Sequence, residues 1–347
     1  MSGPAPFPQE EVRRRAEGSE LWLLRAQRGS GLSPPLFGLL VGLLVAAVVG
    51  AAGLHPAIPA RDLGSFAASG AFFGVSIGMI CAIMPGVFSA AVRDTERLAP
   101  ITQGTPEDLA LLGRALVRMA PGHAARTGIV AALLGCAHGW LLGQWSLPLV
   151  PALLQTTGTV LMWIGMTACL APLLMNAQLF ASLGRQARPD LFRPELTAPF
   201  GSLALRPTLV IVGLQCAYPI LFLGGDGSLA GATLLGVAAA LASMTGMFFL
   251  PLRGIRQRLV ALRRDTLVGL QERIEALDVV RRGIDAETDV DELRQLEQLL
   301  ALRDRIAHAS TWPLDIASAR RVLIYVILPP LTWAAAALVE MGLDRAL

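Results

Sequence analysis

Residues 65–87 read SFAASGAFFGVSIGMICAIMPGV. No charged side chain interrupts the run. A helix rises 1.5 Å per residue, so a stretch of this length crosses a hydrocarbon layer about 30 Å thick, which needs about 20 apolar residues. Within it Gly70, Gly74 and Gly78 stand four residues apart, a doubled GxxxG. On a helix they make one ridge of small residues, which lets a second backbone approach closely where lipid supplies no hydrophobic drive for association. The ridge is a packing signal, for another helix of the same chain or, alternatively, for a second copy of it.

Six more uncharged runs of similar length accompany this one, at 35–54, 127–147, 149–174, 207–223, 230–252 and 322–339. Only Trp145 and Pro148 supply a turn between the third and fourth spans. The chain of 347 residues is 54% hydrophobic and 16% charged, with a mean hydropathy of +0.56. Soluble domains carry about 25% charge, so this composition calls for an apolar solvent. The expected fold is all-α, a polytopic transmembrane helix bundle of about seven spans with a cytoplasmic antiparallel helical hairpin before the last span.

Orientation follows from the basic residues, because loops retained in the cytoplasm carry the excess of positive charge. All 29 are arginine. Arg13, Arg14, Arg15, Arg25 and Arg28 precede the first span. Arg93, Arg97, Arg114, Arg118 and Arg126 lie between the second and third, and Arg185, Arg188, Arg193 and Arg206 between the fourth and fifth. The opposite loops hold only Arg61 between the first two spans and no arginine around Ser146 or Gly225. The reading is a prokaryotic cytoplasmic (inner) membrane protein with its N-terminus inside and its C-terminus outside. Charges precede the first run and that run is long enough to span, so no cleavable signal peptide is expected.

Four segments result. Residues 1–34 form an N-terminal cytoplasmic segment whose stretch 10–28, with Leu21, Trp22, Leu23 and Leu24 beside charges, is a candidate interfacial helix lying in the headgroup plane. The alternative is a partly ordered tail. Residues 35–252 hold six spans. Residues 253–321 carry two helical stripes, Ile255, Leu259, Leu262, Leu270, Ile274 and Leu277, then Val290, Leu293, Leu296, Leu300 and Ile306, joined by a turn at 282–285 with Asp289 as a cap; this is a coiled-coil-like hairpin. Such a pair is marginal alone and is expected to dock on loops, on a second copy of the chain or on a cytoplasmic protein. Residues 322–347 form the seventh span and a short external tail.

Few side chains in the spans carry chemistry. His138 is the one ionisable group near the middle of a span, the cysteines aside, and with no Asp or Glu in any span to partner it, a hydrogen-bonded structural histidine stands against a proton relay. Gln144, Gln155, Asn176 and Gln215 fit interhelical hydrogen bonds. Pro172, Pro219 and the pair Pro329 and Pro330 interrupt spans. A proline frees carbonyls upstream of it, and broken helices build transport sites, although plain kinks explain Pro172 and Pro219. Local unwinding at Pro329 and Pro330 is the better functional candidate. Arg253, Arg256, Arg258, Arg263 and Arg264 follow the sixth span with no acid among them, a cluster that binds anionic lipid headgroups or simply anchors the topology.

Cys81, Cys136, Cys169 and Cys216 all fall in apolar runs with no metal or redox spacing and read as small buried hydrophobes. No nucleophile elbow, P-loop, HExxH or paired membrane carboxylate occurs, so neither an enzyme, a metal nor a cofactor is expected. A formal charge of +3 is too small to indicate nucleic acid, which leaves the bilayer and anionic lipid as the nearer partners.

Several motifs resemble a family of multi-pass membrane proteins of bacteria and archaea to which no activity is assigned. Arg93-Asp94-Thr95-Glu96-Arg97-Leu98-Ala99-Pro100 is similar to the family's "RDLEALRPVL". Leu191-Phe192-Arg193-Pro194 with Thr197-Ala198 is similar to "LFRPAPL...TA", and Pro251-Leu252-Arg253-Gly254-Ile255-Arg256 to "PLWGIHR". Ser310-Thr311-Trp312-Pro313-Leu314-Asp315 and Leu328-Pro329-Pro330-Leu331-Thr332-Trp333 resemble its "TWPW" and "LLPLLLW". The chain departs from that pattern with Arg256 where the family usually has His and Leu314 where it often has an aromatic. The resemblance implies one linked unit of spans plus hairpin, and no reaction, ligand or catalytic residue.

Two functions remain open. One is a non-catalytic sensor or scaffold whose hairpin meets a partner or anionic lipid. The other is a channel or transporter using Gly70, Gly74 and Gly78 for packing and His138, Pro329 and Pro330 along its pathway. A cavity reaching His138 or Pro329 favours the second, and tightly filled spans favour the first.

Overall fold

The computed structural model describes residues 9–102, 104–120, 122–222, 230–277, 290–313 and 324. They are helical apart from turns and two short strands. In chain order these are α1 (Gln9–Ala16), β1 (Ser19–Glu20), α2 (Trp22–Gly29), α3 (Pro34–Gly50), α4 (Leu63–Glu96), α5 (Pro106–Leu116), β2 (Arg118–Met119), α6 (His123–Leu141), α7 (Leu149–Gln186), α8 (Ala198–Gln215), α9 (Pro219–Phe222), α10 (Ala230–Ala276) and α11 (Val290–His308). Four helical stretches among the described residues are long and apolar enough to cross a membrane: Pro34–Leu54, Ala60–Glu96, Leu149–Gln186 and Pro194–Leu221. They coincide with the first, second, fourth and fifth expected runs. The third run falls on α6 and the sixth on the start of α10. The seventh, with Pro329 and Pro330, lies outside the described residues, as do the turn at 282–285 and Asp289.

The glycine ridge of α4 lies against α3 of the same chain. A Cβ added at Gly74 would sit 2.6 Å from the Gly42 carbonyl oxygen, one at Gly70 2.7 Å from that of Ala46, and one at Gly78 2.8 Å from that of Gly38. Gly38, Gly42, Ala46 and Gly50 are thus a second small-residue ridge, running antiparallel to the first, and the two backbones touch along it. On its other side α3 exposes Leu39, Leu40, Leu43 and Leu44.

Helix lengths differ from the sequence reading where a polar group finds a partner. α4 continues past Val87 to Glu96, because Asp94 is buried there and paired. α7 passes through Pro172 unbroken, whereas the helix of the fifth run ends at Gln215 and restarts at Pro219, a residue suited to a first helical position. α10 runs 47 residues through Pro251, so the boundary drawn at Arg253 falls inside one helix. The loop between the second and third runs holds a further helix, α5, started by Pro106 and a capping box in which Asp108 N donates to Thr105 Oγ1 at 3.2 Å and Thr105 N to the Asp108 carboxylate at 2.9 Å.

The stretch 10–28, read above as one helix, is two. The chain breaks after Ala16 so that β1 can pair antiparallel with β2, Ser19 opposite Met119 and Glu20 opposite Arg118. Val12 and Ala16 bury in a core shared with α5, α7 and α10, and Arg15 goes in with them at 2% exposure. Its guanidinium donates to the Met175 carbonyl (3.2 Å) and to Asn176 Oδ1 (2.6 Å), while Asn176 Nδ2 donates to the Leu116 carbonyl (3.0 Å). Burial draws the Arg15 pKa down and nearby Glu11 draws it back up. A charge held this way by hydrogen bonds to charged donors is worth about 2 kcal/mol. Arg15→Ala is therefore expected to undock the segment. Trypsin should cut after Arg13 and Arg14 several times faster than in the parent, and an unchanged rate would show that Arg15 does not hold the segment.

Candidate functional site

Where α4, α6, α7 and α8 diverge, a cavity of about 420 Å³ opens between them. Its two ends differ in chemistry. Toward Asp62 the wall carries Ser65 and Ser69, further along it carries Gln144, Gln155, Thr159 and His138, and toward the other end Met84, Cys169 and Leu173. Gln144 Nε2 donates to Thr159 Oγ1 (2.9 Å) and Gln155 Nε2 to the Val49 carbonyl (3.3 Å), so both amides belong to helix contacts. Phe72 anchors an aromatic wall, 5.3 Å from the Phe73 ring and 5.1 Å from that of Tyr218.

His138 lines this cavity. α6 ends at Leu141, because Gly143 takes a left-handed φ of 71° and turns the chain. The histidine therefore sits in the last turn of α6, which packs on the middle of the 149–174 run. Trp163 Nε1 donates to its Nδ1 at 3.1 Å, with the rings edge to face at 5.9 Å. An accepting Nδ1 places the proton of the neutral ring on Nε2.

At the Leu173 end the cavity narrows against Pro207. Beyond those two residues is a void of about 20 Å³ bounded by Asn176, Arg206 and Pro251. Polar contacts close the space there. Asp94, only 1% exposed, accepts from Arg206 Nη1 and from Ser202 Oγ (2.7 Å), with Arg97 Nη1 at 3.5 Å. With the Arg15–Asn176 contact, this makes the far end of the cavity a polar seal. The expected run ended at Val87, seven residues before Asp94, so the burial of this acid was not read from the sequence.

The arginine cluster divides into two groups. Arg258 Nε donates to the Ala187 carbonyl (3.3 Å) and Arg263 Nη1 to that of Ala309 (3.5 Å), so these two tie α10 to its neighbours. Arg253, Arg256 and Arg264 line a separate open groove of about 840 Å³ with Phe249, Val260 and Trp312. Arg256 stacks on Trp312, 4.4 Å from the ring centroid, and Arg264 lies 3.5 Å from Asp265. The TWP segment and the helix carrying Arg256 thus meet, although they are far apart in sequence.

Gly70, Gly74 and Gly78 face α3 and not the cavity. Cys81 and Cys169 are buried, Cys216 is half-buried and Cys136 is exposed on the outer side of α6, which corrects the reading of all four as buried. Among the described residues no group of three or more His, Cys, Asp or Glu side chains could hold a metal. Comparison with protein-family models, with curated proteins and with solved structures gives no match to the chain.

Proposed function

We propose that this chain is a seven-span, non-catalytic protein of a prokaryotic cytoplasmic membrane that admits a small molecule from the outer face into the cavity beside His138, as a channel or transporter does. The observation that carries the reading is the cavity of about 420 Å³, polar at the Asp62 end and apolar within, because filled spans would have left no such space. The exposed apolar sides of α3 (Leu39, Leu43, Leu44) and α6 (Ile129, Val130, Leu133) support the membrane setting, since a face of that kind in water would aggregate. The arginine distribution supports the orientation, with the polar seal of Asp94, Arg206 and Arg15 toward the cytoplasm.

The test is access. Cysteine is placed at His138 and, separately, at Gly225 in a background with the four native cysteines replaced, and whole cells are treated with a membrane-impermeant maleimide. Both sites are expected to react from outside. Reaction of either one only after the cells are opened would overturn the orientation. In proteoliposomes His138→Ala and Pro329→Ala should change solute flux, and no flux under any imposed gradient would remove the transport reading.

A second reading rests on α10. This helix puts Ser243 on the cavity wall, continues unbroken to Ala276 and contacts α11. A molecule in the cavity would then be sensed by the cytoplasmic hairpin, and solute binding without flux would favour this sensor over a pathway.

A further inference from the structure

The composition of the cavity wall assigns a ligand class, an inference that rests on the cavity reading above. Among the described residues that line the cavity there is no arginine and no lysine, although the chain has 29 Lys+Arg residues. The one carboxylate among them, Asp62, stands at the polar end. Its neighbour Arg61 is 3.6 Å away on an 87% exposed side chain that does not line the cavity, so this contact is a weak and screened surface pair. Phe66 lies one helical turn from the carboxylate, and about 15 Å from it along α4, at 1.5 Å per residue, Phe72, Phe73 and Tyr218 line the space, with Trp163 deeper still. Deeper in, Met84, Met162 and Met166 supply polarisable thioethers in place of polar groups.

An anion entering this space would find no positive side chain among those residues, and the faces of the rings would repel it. A small hydrated inorganic cation would lose its water against a mostly apolar wall with a single acid at the mouth, which is too costly. A cation whose charge is spread over rings or wrapped in alkyl groups loses much less on leaving water. It also gains from aromatic faces, whose quadrupoles attract positive charge, and from apolar contact with the methionines. We propose that the cavity takes a lipophilic organic cation, with its charge held against the Phe72–Tyr218 wall, Asp62 standing at the mouth, and its apolar part directed toward Met84 and Cys169.

Tetraphenylphosphonium and tetraphenylborate have nearly the same shape and opposite charge, so together they separate charge from greasiness. Binding of each to the full-length protein in nanodiscs is measured by equilibrium dialysis against empty nanodiscs. Tetraphenylphosphonium is expected to bind saturably at one site, and tetraphenylborate not to displace it. Phe72→Leu should weaken that binding about threefold, for the loss of one ring face. Arg253→Gln, in the separate groove, should leave it unchanged.

Displacement by tetraphenylborate, or equal affinities for the two ions, would overturn the cation assignment. So would absence of saturable phosphonium binding to the parent protein when the His138→Cys variant is labelled from outside. In both cases the labelled cavity still stands, and only its ligand class falls. Failure of that labelling would remove the cavity reading and this inference together.

Discussion

Gly74→Ile is expected to leave almost no folded protein, seen as loss of the monodisperse peak in detergent, while Val75→Ile on the next position leaves recovery and melting unchanged. At Gly74 even a Cβ would lie 2.6 Å from the Gly42 carbonyl oxygen and 2.7 Å from the Ala46 side chain. The first of these is backbone and cannot rotate away. The remaining atoms of isoleucine would have to push α3 off α4, breaking the neighbouring contacts at Gly70 and Gly78 as well. Overpacking a well-filled site costs about 1–3 kcal/mol and sometimes more, and here the strain falls on two rigid backbones at once, so at least about 3 kcal/mol is expected. Val75, by contrast, is 43% exposed and has room for another methyl group. Folded Gly74→Ile with parental melting would mean that the two ridges are not in contact.

The second large effect is expected at the polar seal. Arg206→Leu removes the main partner of a carboxylate that is 2% exposed, leaving Ser202 and the outlying Arg97. An uncompensated buried charge typically costs about 3–5 kcal/mol, and the residual partners place this case at about 3 kcal/mol. Asp94→Leu alone should cost less, because the Arg206 side chain is 35% exposed and can turn toward water. The double variant, Asp94→Leu with Arg206→Leu, should regain most of the loss, since replacing a buried pair by apolar groups is often near neutral. Thermal unfolding in one detergent across the four proteins gives the coupling. Additive losses would show that the two side chains do not stabilise each other.

Local features of this molecule were legible because local features decide them. The run at 65–87 is long enough to be a helix, and its glycines can only serve close approach. The complementary ridge at Gly38, Gly42, Ala46 and Gly50 carries the same four-residue spacing, a signal present in the sequence but masked by the leucines between. The cavity was not legible. Its wall combines residues from Asp62 to Ser243, and no periodicity within one helix records which faces of several helices converge. The burial of Arg15 and Asp94 was not legible for a related reason. Each looks like a surface charge until a distant partner, Asn176 or Arg206, is brought against it. The arginines at 253–264 formed one cluster in sequence, whereas the helix rotates Arg258 and Arg263 inward and leaves Arg253, Arg256 and Arg264 on the groove. The Arg256–Trp312 contact joins two of the segments that carried the family resemblance, and nothing in their spacing pairs them.

The unbroken course of α10 has a mechanical corollary. From Ser243 to Ala276 a helix rises about 50 Å, so a tilt of only about 5° where it borders the cavity would swing its far tip by about 4 Å. A rod of that kind works as a lever arm, amplifying a shift too small to see at the fulcrum into a stroke comparable to the width of a side chain.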